Sequence, residues 1–133
     1  MTARVVYKGN LRTEATHLQS GSTIITDAPV DNHGKGEAFS PTDSVATALA
    51  TCMITVMGIK AEEMQISLEG TTAEVTKTMA SDPRRISKIE VNLEFPESYS
   101  EKHTKILENT ARTCPVLESL HPNIEKIITF SYS

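Results

Sequence analysis

Residues 40–63 read SPTDSVATALATCMITVMGIKAEE. Pro41 suits the first helical position after a Ser40 cap, and Asp43 sits where a capping-box carboxylate reaches back, so a helix starts here. From Ser44 to Ile59 no residue is charged, and Lys60-Ala61-Glu62-Glu63 supplies solvent-facing last turns. That run, broken by Ser44, Thr47, Thr51, Thr55 and Gly58, falls short of the roughly 20 apolar residues of a membrane span. A helix apolar on nearly every face is instead expected to be buried in protein.

Upstream, Arg4 to Asp27 carries short β-branched and aromatic runs broken at Gly9-Asn10 and Ser20-Gly21-Ser22, which reads as three short strands in a meander. Pro29 to Phe39 is a loop at the rim of the helix start, a place where sites are often built. Downstream, Glu69 to Met79 alternates, Asp82-Pro83 turns, and Ile89, Val91, Leu93 and Phe95 alternate with Glu90, Asn92 and Glu94. These two segments form a hairpin with one dry and one wet face. Tyr99 to Thr113 is an amphipathic helix with Ile106, Leu107, Thr110 and Ala111 on one side. Pro115 cuts it and opens a short helix through Leu120, and Ile124 to Tyr132 closes the chain as a strand. The order predicts one α+β domain over residues 1–133, a usual length for a single domain.

Composition narrows the function. Lys+Arg 13 against Asp+Glu 17 gives a net charge of −4 with no basic cluster, which disfavours nucleic-acid binding. Met1 to Asn10 shows no apolar leader pattern, so a cytoplasmic protein is expected, with no membrane partner. With 38% hydrophobic and 5% aromatic residues and no Trp, the core must come from aliphatic and Met side chains. A core shared in an oligomer would ease that shortage.

Two cysteines are too few for a disulfide framework, and in a reducing compartment any pairing would be transient and chemical. Cys52 lies mid-helix with Val45, Leu49, Val56 and Ile59 on its stripe, so it faces packing at least in part. As a small buried hydrophobe it needs no further account. As a nucleophile it needs a cation from elsewhere in the fold, because a free thiol is only a few per cent thiolate at neutral pH and burial lowers that fraction. Cys114, in Thr113-Cys114-Pro115, sits at a helix N-terminus whose unpaired N–H groups favour negative charge, though a Cys ahead of a proline turn is also a common structural choice.

The remaining candidates are weaker. His17, His33, His103 and His121 share no metal spacing, and Gly34-Lys35-Gly36 lacks the rest of a phosphate loop, so neither metal nor cofactor is expected. Arg84-Arg85 reads as a solvated pair, and Asp43 is explained wholly by the cap.

The helix Ser40-Pro41-Thr42-Asp43-Ser44-Val45-Ala46-Thr47-Ala48-Leu49-Ala50-Thr51-Cys52-Met53, followed by a second cysteine in Cys114-Pro115-Val116 before a final strand, resembles the OsmC/Ohr family, named for osmotically inducible protein C and organic hydroperoxide resistance. The resemblance covers essentially the whole chain. It implies antiparallel sheets around a long buried central helix, an intertwined homodimer, and a site at the subunit interface. It also implies a peroxiredoxin-like cysteine peroxidase that reduces organic hydroperoxides, hydrogen peroxide or both in oxidative-stress defence. Cys52 would be the peroxidatic thiolate, Cys114 the thiol that condenses with its sulfenic acid, and a dithiol the final reductant.

In the family an Arg of the N-terminal hairpin stabilises the thiolate, and Arg12 in Asn10-Leu11-Arg12-Thr13 is the matching position. Hydroperoxide-specific members carry Glu directly after the helix Pro to hold that Arg, and here the position is Thr42. The candidate anchors for Arg12 are therefore Thr42, Asp43 if the first helical turn is rotated, and Glu37 reaching in from the loop. The same departure gives the alternative reading, a catalytically weak redox-responsive or small-ligand-binding OsmC-like protein.

Overall fold

A computed structural model describes the whole chain, residues 1–133. Its contacts group into two compact units, Met1–Val45 and Ala46–Ser133.

The first unit is the expected meander: β1 (Ala3–Gly9), β2 (Arg12–His17) and β3 (Thr23–Asp27), antiparallel in the order β1-β2-β3. The β1–β2 turn places Gly9, Asn10 and Leu11 at positive φ, and the Leu11 N–H is held by the Tyr7 hydroxyl at 3.2 Å. Val5, Ala15 and Ile24 share one cross-strand row, and Val6, Glu14 and Ile25 share the other face. Val5, Val6, Ile24 and Ile25 are all exposed. The sheet thus carries apolar side chains on both faces, and the residues this unit buries are polar, Asp27 and Ser40.

The loop after β3 folds back on itself: Gly34 N–H reaches Pro29 O at 2.9 Å, Gly36 N–H reaches Ala28 O at 3.2 Å, and Asp27 N–H reaches Phe39 O at 3.1 Å. A Cβ on Gly34 would lie 1.7 Å from the Ala28 carbonyl oxygen, so the closure requires glycine there.

Helix α1 runs from Pro41 to Glu63. The cap forms as read: Asp43 N–H donates to Ser40 Oγ and Ser40 N–H to Asp43 Oδ2, both at 3.0 Å. At 23 residues α1 is long and apolar enough to cross a membrane, so length does not argue against a span as the shorter uncharged run suggested. Its Ala46, Leu49, Ala50, Met53, Met57 and Ala61 stripe belongs instead to the core. In the single chain Val45 and Ile59 are exposed and Cys52 is half-buried, as expected of one subunit of a protein whose apolar helix is covered further by a partner. The core that β5 and α2 share with α1 reaches one face.

In the second unit β4 (Thr72–Ala80) and β5 (Arg85–Phe95) form the expected antiparallel hairpin. Ile89, Val91, Leu93 and Phe95 point into the core, which Leu107 and Ala111 of α2 (Glu101–Ala111) and Cys114 complete. Each aliphatic side chain removed from water contributes roughly 1.5–3 kcal/mol. After α2, α3 (Pro115–Ser119) leads to β6 (Glu125–Tyr132), giving the order β4-β5-β6. β6 runs parallel to β5, with Val91 opposite Ile128 and Leu93 opposite Phe130, so this sheet is mixed rather than antiparallel. The helical connection is the cause, since a crossover through α2 and α3 returns the chain in the same direction. Phe95 stacks on Tyr132 with centroids 4.8 Å apart, and the Tyr132 hydroxyl donates to Glu108 at 2.7 Å.

Candidate functional site

Cys52 and Cys114 are both free thiols. Cys52 is half-buried on α1, and Cys114, fully buried, is the N-cap of α3. Cys52 lies close enough to Cys114 to act on its thiol. Pro115 at the first helical position ends α2 and aims the next free N–H groups at the Cys114 sulfur, which accepts from Leu117 N–H at 3.3 Å.

Burial pushes the Cys114 thiol up, the Leu117 N–H pulls it back, and the neighbouring Cys52 sulfur raises it further. The two thiols are therefore unequal. Cys52 is the more accessible of the two, and so the one open to an incoming electrophile.

Arg12 opens β2 in the first unit, and the side chain that grips it is Asp27. Arg12 Nε donates to Asp27 Oδ1 at 2.7 Å and Nη2 to Oδ2 at 2.8 Å, a bidentate pair. Asp27 Oδ2 also accepts Glu37 N–H at 3.2 Å. The hydrogen bond from Arg12, opposed by burial, holds the Asp27 carboxyl below its usual range and lifts the Arg12 guanidinium above its own. Glu37 stands second, with Oε1 3.5 Å from Arg12 Nη2 and its side chain largely exposed.

Of the anchors considered from sequence, Glu37 thus lies within ion-pair range of Arg12, whereas Asp43 is taken up in the cap and Thr42 Oγ1 lies 3.2 Å from Ser40 Oγ. The charges acting on Arg12 are those of Asp27 and Glu37. Sequence reasoning missed Asp27, although a signal existed. Antiparallel pairing across the Ser20-Gly21 turn sets Thr16 opposite Thr23, and the same register sets Arg12 opposite Asp27.

Cys52 and Cys114 can carry two-electron thiol chemistry, one sulfur forming a bond to an electrophile and the other displacing it as a disulfide. The guanidinium held by Asp27 is a fixed cation suited to a thiolate or a developing oxyanion.

The model of the family described as OsmC-like protein matches residues 34–128. A Psychrobacter arcticus 273-4 protein, provisionally described as an osmotic stress induced and detoxification response protein, is 57% identical, with a TM-score of 0.95 over 98% of this chain and 95% of that one. The fold is also that of an organic hydroperoxide resistance protein OsmC from Legionella pneumophila, at 16% identity and TM-score 0.75 over 98% of this chain and 97% of that one. Another organic hydroperoxide resistance protein, from Elizabethkingia anophelis, gives 15% identity and TM-score 0.76 over 100% and 97% of the two chains. Among curated proteins none matches. With its family match, its 57% identical relative and its paired thiols, the chain belongs to the OsmC-like family.

Proposed function

We propose that the protein is a thiol-dependent hydroperoxide reductase working as a homodimer in the cytoplasm. The observation that carries this reading is the unequal pair of free thiols, one accessible and one buried at a helix cap, with the first close enough to act on the second. Family membership supports a redox or peroxide-stress role, and relatives of the same fold are named for organic hydroperoxide resistance.

In the proposed cycle the Cys52 thiolate attacks the distal peroxide oxygen. An S–O bond forms as the O–O bond breaks, and the departing alkoxide takes a proton to leave as the alcohol, or as water when the substrate is hydrogen peroxide. Cys52 is now a sulfenic acid. Cys114 attacks that sulfur, the S–S bond forms, and the sulfenic hydroxyl leaves with the Cys114 proton as water. A dithiol reductant reopens the disulfide by exchange, becoming a disulfide itself. In the assembled dimer Arg12 supplies the cation that the Cys52 thiolate and the leaving oxygen require.

Intact-mass analysis tests the scheme. One equivalent of cumene hydroperoxide should convert the reduced protein to an internal Cys52–Cys114 disulfide. Cys114→Ser should instead hold a sulfenic acid that dimedone labels at position 52. Labelling at neither cysteine, with both thiols still reduced, would overturn the proposal.

A further inference from the structure

Thr42 cannot supply a carboxylate to Arg12, yet Arg12 is held by a complete one. Asp27 faces it across β2 and β3, engages both Nε and Nη2, and has only 1% of its surface exposed. A third hydrogen bond, from Glu37 N–H, fixes the carboxylate itself. Two charge-assisted bonds to one planar fork set the position and the plane of the guanidinium together. Glu37, 3.5 Å away and exposed, does neither as firmly. Asp27 uses the Nε and Nη2 edge, so the Nη1 end of the fork is not among its contacts.

We infer that Asp27 is the positioning residue of the reaction: it aims Arg12, and through Arg12 it sets the reactivity of Cys52. This rests on the proposed role of Arg12 toward the thiolate. Two effects of opposite sign compete when Asp27 is removed. Losing a neighbouring negative charge would leave Arg12 a stronger cation and favour the thiolate. Losing the bidentate hold would let Arg12 wander and disfavour it. If Asp27 positions, the second effect wins.

The test follows alkylation of Cys52 by iodoacetamide against pH in a Cys114→Ser background, beside hydroperoxide turnover in the otherwise native protein. Asp27→Asn should move the alkylation midpoint to higher pH and slow turnover about 10- to 100-fold, the size of effect a misplaced catalytic group produces. Arg12→Ala should do the same. The double variant should be no slower than Arg12→Ala alone, because Asp27 acts only through Arg12. Should Asp27→Asn not fold, Asp27→Glu shifts the carboxylate by one methylene and should raise the midpoint in the same direction. A midpoint that falls or stays put, or losses that multiply in the double variant, would overturn the inference. A wild type without turnover would overturn the proposed function, and the alkylation profiles would still decide the role of Asp27.

Discussion

The Cys114 sulfur caps α3 by accepting the Leu117 N–H at 3.3 Å, and Cys52 is close enough to raise the same thiol. One buried thiol thus takes part in both the fold and the proposed chemistry. Because its folded pKa is raised above the ordinary 9.0, the folded protein holds that proton more tightly than the unfolded chain does. The stability this adds is fully present below about pH 9 and is lost as pH rises through the folded value. Thermal melts of reduced protein from pH 7 upward should therefore fall more steeply above pH 9 for the wild type than for Cys114→Ser. Tyr99 and Tyr132, also raised by burial, act with the same sign from higher pH in both proteins and leave the difference intact. Parallel curves would refute the assignment.

Ser40 should show its value as a cap. Ser40→Ala removes the acceptor for Asp43 N–H at the start of α1 and should cost about 1 kcal/mol in urea unfolding with an unchanged m-value. No change in midpoint would mean that the cap is not what fixes the helix start.

Gly34→Ala should be far costlier than its size suggests. The new Cβ meets backbone at Ala28 rather than a flexible side chain, so the loop between β3 and α1 must open. Limited proteolysis should cut within residues 28–39 of the variant and spare the wild type; equal resistance would contradict the close approach.

The exposed face of α1 is where the proposed dimer is open to test. Ile59 is 57% exposed although it ends the uncharged run that begins at Ser44. Wild-type protein should sediment as a dimer at micromolar concentration, and Ile59→Glu should shift it toward monomer. A monomeric wild type would refute the shared assembly.

Much of the fold was legible because its signals are local. The alternation of Ile89, Val91, Leu93 and Phe95 against Glu90, Asn92 and Glu94 marks a half-buried strand without reference to any partner. Ser40-Pro41-Thr42-Asp43 and Cys114-Pro115 mark helix starts by the same kind of short-range chemistry.

What was missed is non-local. The parallel pairing of β6 on β5 depends on how the α2–α3 connection crosses the sheet, and periodicity within β6 does not report it. Asp27 carries no local mark of its role: it meets Arg12 across the β2–β3 hairpin, whereas Glu37, Thr42 and Asp43 cluster around the helix start.

The most direct measurement is steady-state consumption of hydrogen peroxide and of cumene hydroperoxide under a dithiol reductant, for wild type, Cys52→Ser and Cys114→Ser. The account predicts turnover by the wild type and its abolition in Cys52→Ser. Cys114→Ser should make one stoichiometric turn and then stop unless the reductant attacks the sulfenic acid itself. A folded, fully reduced wild type that consumes neither peroxide, or a Cys52→Ser protein as active as the wild type, would contradict it.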